Sequence, residues 1–148
     1  MSDPVSRLLA EKDKDVLHVR PEVSVADAAK EMNRHRVGAL LVLNEHGKPV
    51  GIFTERDILK RVVAQGLDPE LTPVSQVMTR EVMVIHPTVT VEQAMAIITE
   101  QHMRHLPVVE GGKVIGMLSA GDLTKWVSRG HQIEIRQLVE YITGKYPG

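Results

Sequence analysis

Short apolar runs alternate along this chain with stretches whose apolar residues recur at helical spacing. VLHV (16–19) and VMVI (82–85) are each followed, one residue later, by a proline, and they predict brief strands. SVADAAKEM (24–32) and TVEQAMAII (90–98) place Ala28, Ala29 and Met32, then Ala94, Met95 and Ile98, on one helical face. Ser24 with Asp27, and Thr90 with Gln93, stand at capping-box distance and predict the two helix starts. VGALLVL (37–43) and HLPVVE (105–110) predict buried strands, and EHGK and GGK predict hairpin turns into PVGIF and VIGML. A further helix then runs from Asp57 to about Ala64, and another from Asp122 to about Ser128.

These elements are two copies of one unit. Val16 pairs with Val82, Pro21 with Pro87, Ala28 with Ala94, Leu40 with Leu106 and Val42 with Val108 at a constant offset of 66. After one residue is lost in the hairpin turn the offset is 65, pairing Gly47 with Gly112, Gly51 with Gly116 and Asp57 with Asp122. A unit of strand, helix, strand, strand, helix buries little alone, so the expected fold is α/β, with two pseudo-symmetric repeats packed sheet to sheet. The expected division is a first repeat with its N-terminal segment at 1–66, a linker at 67–76, a second repeat at 77–130 and a C-terminal helix at 131–148. The linker overlaps QGLDPELTP (65–73), and the last helix carries Ile135, Leu138, Val139 and Ile142 on one stripe.

Composition narrows the function. Eighteen Lys and Arg against nineteen Asp and Glu leave a formal charge of −1, which supplies no field for a polyanion or an anionic membrane. The four aromatics, Phe53, Trp126, Tyr141 and Tyr146, are poor material for stacking bases. No cysteine is present, and the longest apolar run is far too short to cross a bilayer. The expectation is a soluble cytoplasmic protein with neither nucleic acid nor membrane as partner.

The chemistry concentrates in GIFTERDIL (51–59) and GMLSAGDLT (116–124). In one reading, Thr54 and Ser119 cap helices and Asp57 and Asp122 complete the boxes. In the other, the helix N-terminus and its hydroxyl receive a phosphate while the aspartate accepts bonds from the two hydroxyls of a ribose. Gly51 and Gly116 would then let backbone or ligand approach closely. Seven histidines show no H-x-x-x-H or comparable ligand spacing, so no metal site is expected. Ser119, Asp122 and His105 could be assembled on paper into a catalytic group. Ala39 stands where the first copy would need the histidine, and no G-x-S-x-G elbow or P-loop occurs. The chain is therefore read as no enzyme.

With GIFTERDIL and GMLSAGDLT, the RHLPVVEGGKVIG strand pair and the VMTREVMVIHPTVTVEQA lead-in, residues 14 to 128 resemble a tandem pair of cystathionine-β-synthase (CBS) domains, a Bateman module in stand-alone form. The resemblance implies a regulatory module that usually dimerises and binds AMP, ADP, ATP, NAD or S-adenosylmethionine between its copies. It acts on a separate regulated protein or through the homodimer; the alternative is a structural or interaction subunit of the same fold that binds no ligand. The resemblance also assigns roles: Asp57 and Asp122 on the ribose of two sites, with Thr54 and Ser119 near phosphate. The lead-in strands, with Val16, His18 and Val82, would contact the adenine. The strand starts, with Val37 and Ala39 in one copy and Arg104, His105 and Pro107 in the other, would line the clefts. Arg104 gives the second copy's cleft a cation, for which Arg56 compensates in the first. A phosphate beside His105 would raise its pKa.

Overall fold

The computed structural model describes residues 3–12 and 16–129; the expected C-terminal helix lies outside them. The fold begins from its caps. Ser24 Oγ accepts from the Asp27 N–H and starts α2 (Val25–His35); Thr90 and Gln93 form a full capping box and start α5 (Val91–Gln101). Both helices end on a left-handed residue other than glycine, Arg36 at φ 55° and His102 at φ 53°. Each turns its chain directly into the following strand.

The first sheet has the order β1-β2-β3. β1 (His18–Val19) runs parallel to β2 (Ala39–Leu43), and β2 antiparallel to β3 (Pro49–Thr54). The second sheet is the antiparallel pair β4 (His105–Glu110) and β5 (Lys113–Ser119), with Gly111 and Gly112 supplying positive φ at the turn. The strand expected at 82–85 is reduced to one parallel bridge, Ile85 to Val108. The reason is a single residue. In the first copy Leu41 donates its N–H to Leu17, and the equivalent of Leu41 in the second copy is Pro107, which has no N–H to give.

The helices after the repeated motif also differ. α3 (Glu55–Asp57) continues as a π-helical turn over Ile58–Val63, whereas the corresponding α6 (Ala120–Ser128) is regular. Among the described residues two further helices remain, α1 (Val5–Glu11) and the short α4 (Val74–Val77).

These two helices are exchanged between the repeats. Val5 and Leu8 of α1 lie in the second repeat's core with Ile85, Val91, Ala94, Leu106, Val108, Leu118 and Leu123. Val74, Val77 and Met78 lie in the first repeat's core with Val25, Ala28, Met32, Leu40, Val42 and Phe53. The backbone bonds repeat the exchange: Val5 donates to Val89 and Val74 to Val23, Ser6 to Pro87 and Ser75 to Pro21. Sequence order groups the N-terminal segment with the first repeat; in space it completes the second. The trace in the sequence is the tripeptide PVS, at 4–6 and again at 73–75.

The exchange also accounts for the repeated glycines. A Cβ at Gly51 would stand 2.5 Å from Met78 Sδ, and one at Gly116 would stand 2.6 Å from Leu9 Cδ2. Where backbone or ligand is expected to approach, the closest groups are side chains of the other repeat's leading segment, Met78 at Gly51 and Leu9 at Gly116.

Candidate functional site

β3 and β5 each end on a hydroxyl residue that caps the next helix. Ser119 Oγ accepts from the Asp122 N–H at 3.0 Å while the Ser119 N–H donates to Asp122 Oδ2 at 2.8 Å, and Thr54 and Asp57 form the same reciprocal pair. The capping reading of both aspartates therefore holds. Their remaining surroundings differ, because the exchanged segments bring them different partners.

Asp57 is closed in. Thr54 Oγ1 donates to its Oδ2 at 3.2 Å, Thr79 Oγ1 to its Oδ1 at 3.1 Å, and Arg61 Nε stands 3.7 Å from Oδ1. Its side chain is only 7 % exposed. Thr79 is held there by paired backbone bonds with Ile52, and Arg61 donates to the carbonyls of Val77 and Met78.

Asp122 lies more open, at 28 % exposure, and meets Lys12 at the end of α1. Lys12 Nζ donates to Asp122 Oδ2 at 2.6 Å and to the Met117 carbonyl at 2.6 Å. Burial alone would raise the Asp122 pKa, but the hydrogen bonds from Lys12 and from the Ser119 N–H outweigh it and hold the carboxyl below its ordinary value.

Two clefts adjoin at Gly38 and His105, which line both. The Asp122 cleft, about 670 Å³, takes Ser119, Asp122, Met117 and Lys12 on one side and Val16, Leu17, Arg36, Val37 and Ala39 on the other. The second cleft, about 700 Å³, joins Thr54, Glu55, Arg56 and Lys60 to His102, Met103 and Arg104. Each cap thus looks across to the other copy's strand start. This corrects the grouping of Arg104 with the second copy's own cap and of Arg56 as its counterpart elsewhere: both arginines line one cleft, with Thr54.

Of the other expected site residues, His18 is exposed on β1, Val82 is half-buried, Pro107 is buried within β4, and none of the three lines either cleft. Asp57 lies buried beneath Thr54 instead of on the cleft wall. His105 is held below its ordinary pKa, by burial first and then by Lys12 and Arg104, against the pull of Asp122 and Glu55. In this arrangement its imidazole is neutral at pH 7. Lys12 and Thr79 were missed by sequence reasoning; aligning the two PVS tripeptides would have pointed to the segments that carry them. Among the described residues no group of three or more His, Asp or Glu is gathered to hold a metal ion.

Two α/β repeats that exchange their leading helices and face each other across paired clefts define a tandem-domain module. The sequence matches the family model "CBS domain" over residues 6–64 and 74–129, and the chain belongs to that family. It is 39 % identical over 127 residues to the CBS domain-containing protein CBSX3, mitochondrial, of Arabidopsis thaliana, covering 83 % of this chain and 62 % of that longer relative. The solved CBS-domain protein ATU1752 from Agrobacterium tumefaciens is 40 % identical, with a TM-score of 0.79 over 84 % of this chain and 93 % of that one. The CBS domain protein PAE2072 from Pyrobaculum aerophilum, solved in complex with AMP, is 28 % identical, with a TM-score of 0.75 over 91 % of this chain and 99 % of that one.

Proposed function

We propose that the chain is a regulatory module that binds an adenine nucleotide in the Asp122 cleft. The observation that carries this reading is the half-open Asp122 carboxylate at the N-terminus of the nine-residue α6, facing the apolar wall of Val16, Leu17 and Val37 across about 670 Å³. Ser119 and the α6 N-terminus suit a phosphate, Asp122 a ribose, and the apolar wall a purine. The AMP complex of PAE2072 supports the choice of ligand class. Thr54, Arg56, Lys60 and Arg104 line a second cleft together with Glu55 and Glu81, and its three cations take the anionic part of a ligand; Asp57 beneath it offers a ribose no open oxygen. Because each cleft is lined from both copies, a ligand that contacts both favours one relative arrangement of them. The response passes to a second copy in a homodimer or to a separate regulated protein, and no catalysis is assigned.

The sealed Asp57 favours the alternative reading for its half of the molecule, where the aspartate serves structure alone. Thermal unfolding of nucleotide-stripped protein against AMP, ADP, ATP, NAD and S-adenosylmethionine, with GMP as control, tests the proposal. A ligand at a hundred times its dissociation constant adds about 2.7 kcal/mol of stability. The expected result is a shift with adenine nucleotides that is lost in Asp122→Ala. No shift with any adenine compound overturns the proposal in favour of a structural or interaction subunit.

A further inference from the structure

We propose that Lys12 is a specificity-determining residue of the Asp122 cleft, selecting adenosyl ligands that carry phosphate over those that carry none. The inference rests on the reading of that cleft as a nucleotide site and goes beyond it by assigning the discrimination to one side chain of the exchanged N-terminal helix.

The position of Lys12 is fixed from behind. Val5 and Leu8 are buried in the second core and Leu9 packs against Gly116, so the end of α1 is anchored beside the cleft. From there the Lys12 stem carries its ammonium to Asp122 Oδ2 and the Met117 carbonyl, each at 2.6 Å. The same side chain lines a smaller cavity of about 300 Å³ with Leu8, Glu11, Lys125, Trp126 and Arg129. Lys12 therefore stands between two spaces, on the carboxylate that a ribose would use.

A ribose that takes bonds on Asp122 must share that carboxylate with the ammonium or displace it. When the ligand is an uncharged nucleoside, a displaced Lys12 keeps only the Met117 carbonyl as a close acceptor among the described residues, in a partly buried place, which is unfavourable for a cation. When the ligand carries phosphate at the adjoining α6 N-terminus, the flexible four-carbon stem swings the ammonium from carboxylate to phosphate and the charge stays paired. One contact thus opposes the uncharged ligand and favours the phosphorylated one, as selection by difference requires. The first repeat has no such device: the group its exchanged segment brings to Asp57 is the neutral hydroxyl of Thr79.

The test is isothermal titration of the full, nucleotide-stripped chain with AMP, ATP and adenosine, for wild type, Lys12→Met and Lys12→Arg. Lys12→Met should weaken AMP and ATP by about tenfold, the scale of one charge-assisted hydrogen bond, while adenosine binds at least as tightly as to wild type. Lys12→Arg keeps the charge and should keep the preference for phosphate, which separates loss of selection from damage to the fold. Lys12→Met weakening adenosine and AMP by the same factor, or leaving their ratio unchanged, would overturn the proposal while the nucleotide site stands. Wild type that binds none of the three probes would overturn the nucleotide reading itself.

Discussion

Asp57 and Asp122 occupy equivalent places in two copies of one motif, each three residues into a helix and each in a reciprocal capping box. One is sealed and the other is open. The difference comes from the segment that the opposite repeat lays across the motif. After the four-residue α4, Thr79 pairs with Ile52 beside β3 and brings a hydroxyl to Asp57. The seven-residue α1 instead carries on past Leu9 and brings the ammonium of Lys12 to Asp122. A duplicated carboxylate is thus enclosed by hydrogen-bond partners in one place and left partly exposed in the other.

The widest separation between the two should appear on removing the carboxylates. Asp57→Ala strands Thr79 and the Thr54 N–H and removes the anion beside Arg61, so it should cost about 3 kcal/mol in denaturant unfolding. Asp122→Ala removes only a capping group and a half-exposed ion pair, and should cost about 1 kcal/mol. For nucleotide affinity the order reverses. Asp122→Ala should weaken binding on the order of a hundredfold, the scale of two charge-assisted hydrogen bonds. Equal stability losses from the two variants would erase the distinction between a sealed and an open aspartate.

The glycines sharpen the comparison at smaller amplitude. Gly51→Ala places a Cβ against Met78 Sδ and 3.0 Å from the Thr79 carbonyl, so backbone as well as side chain must yield. For Gly116→Ala, the three atoms nearest the new Cβ all belong to the Leu9 side chain. Both should be destabilising by about 1 to 3 kcal/mol, Gly51→Ala more so, because a carbonyl cannot rotate away as a leucine tip can. Adding Leu9→Ala to Gly116→Ala should recover part of the loss in a double-mutant cycle, an interaction that packing within one repeat would not produce.

What the sequence made legible was what repeats or caps locally. Ser24, Thr54, Thr90 and Ser119 announced their helices, and the constant offset announced two copies. The hairpin turns followed from their glycines. The exchange of α1 and α4 was not legible from periodicity, because the apolar face of a short helix does not say which of two similar cores it will enter. Cleft membership depends on that long-range arrangement, so spacing along the chain does not reveal that Arg56 and Arg104 share a cleft or that Lys12 reaches the other. The loss of the strand at 82–85 was available in principle, since Pro107 was visible in the alignment of the copies as a residue unable to donate where Leu41 donates.

The smallest expected effect lies at His105, where the two clefts adjoin. Its folded pKa is below the ordinary 6.5 through burial and the neighbouring Lys12 and Arg104, so between those values the unfolded chain binds a proton that the folded chain does not. Stability should therefore decline as pH falls from 6.5 through the folded pKa, and His105→Gln should remove that slope. A nucleotide phosphate close to His105 adds negative charge and pushes its pKa back up. In titrations followed by the imidazole proton resonances, saturating AMP should then raise the His105 midpoint. A His105 midpoint indifferent to AMP would place the phosphate away from the junction, leaving the open and sealed halves to act as separate clefts.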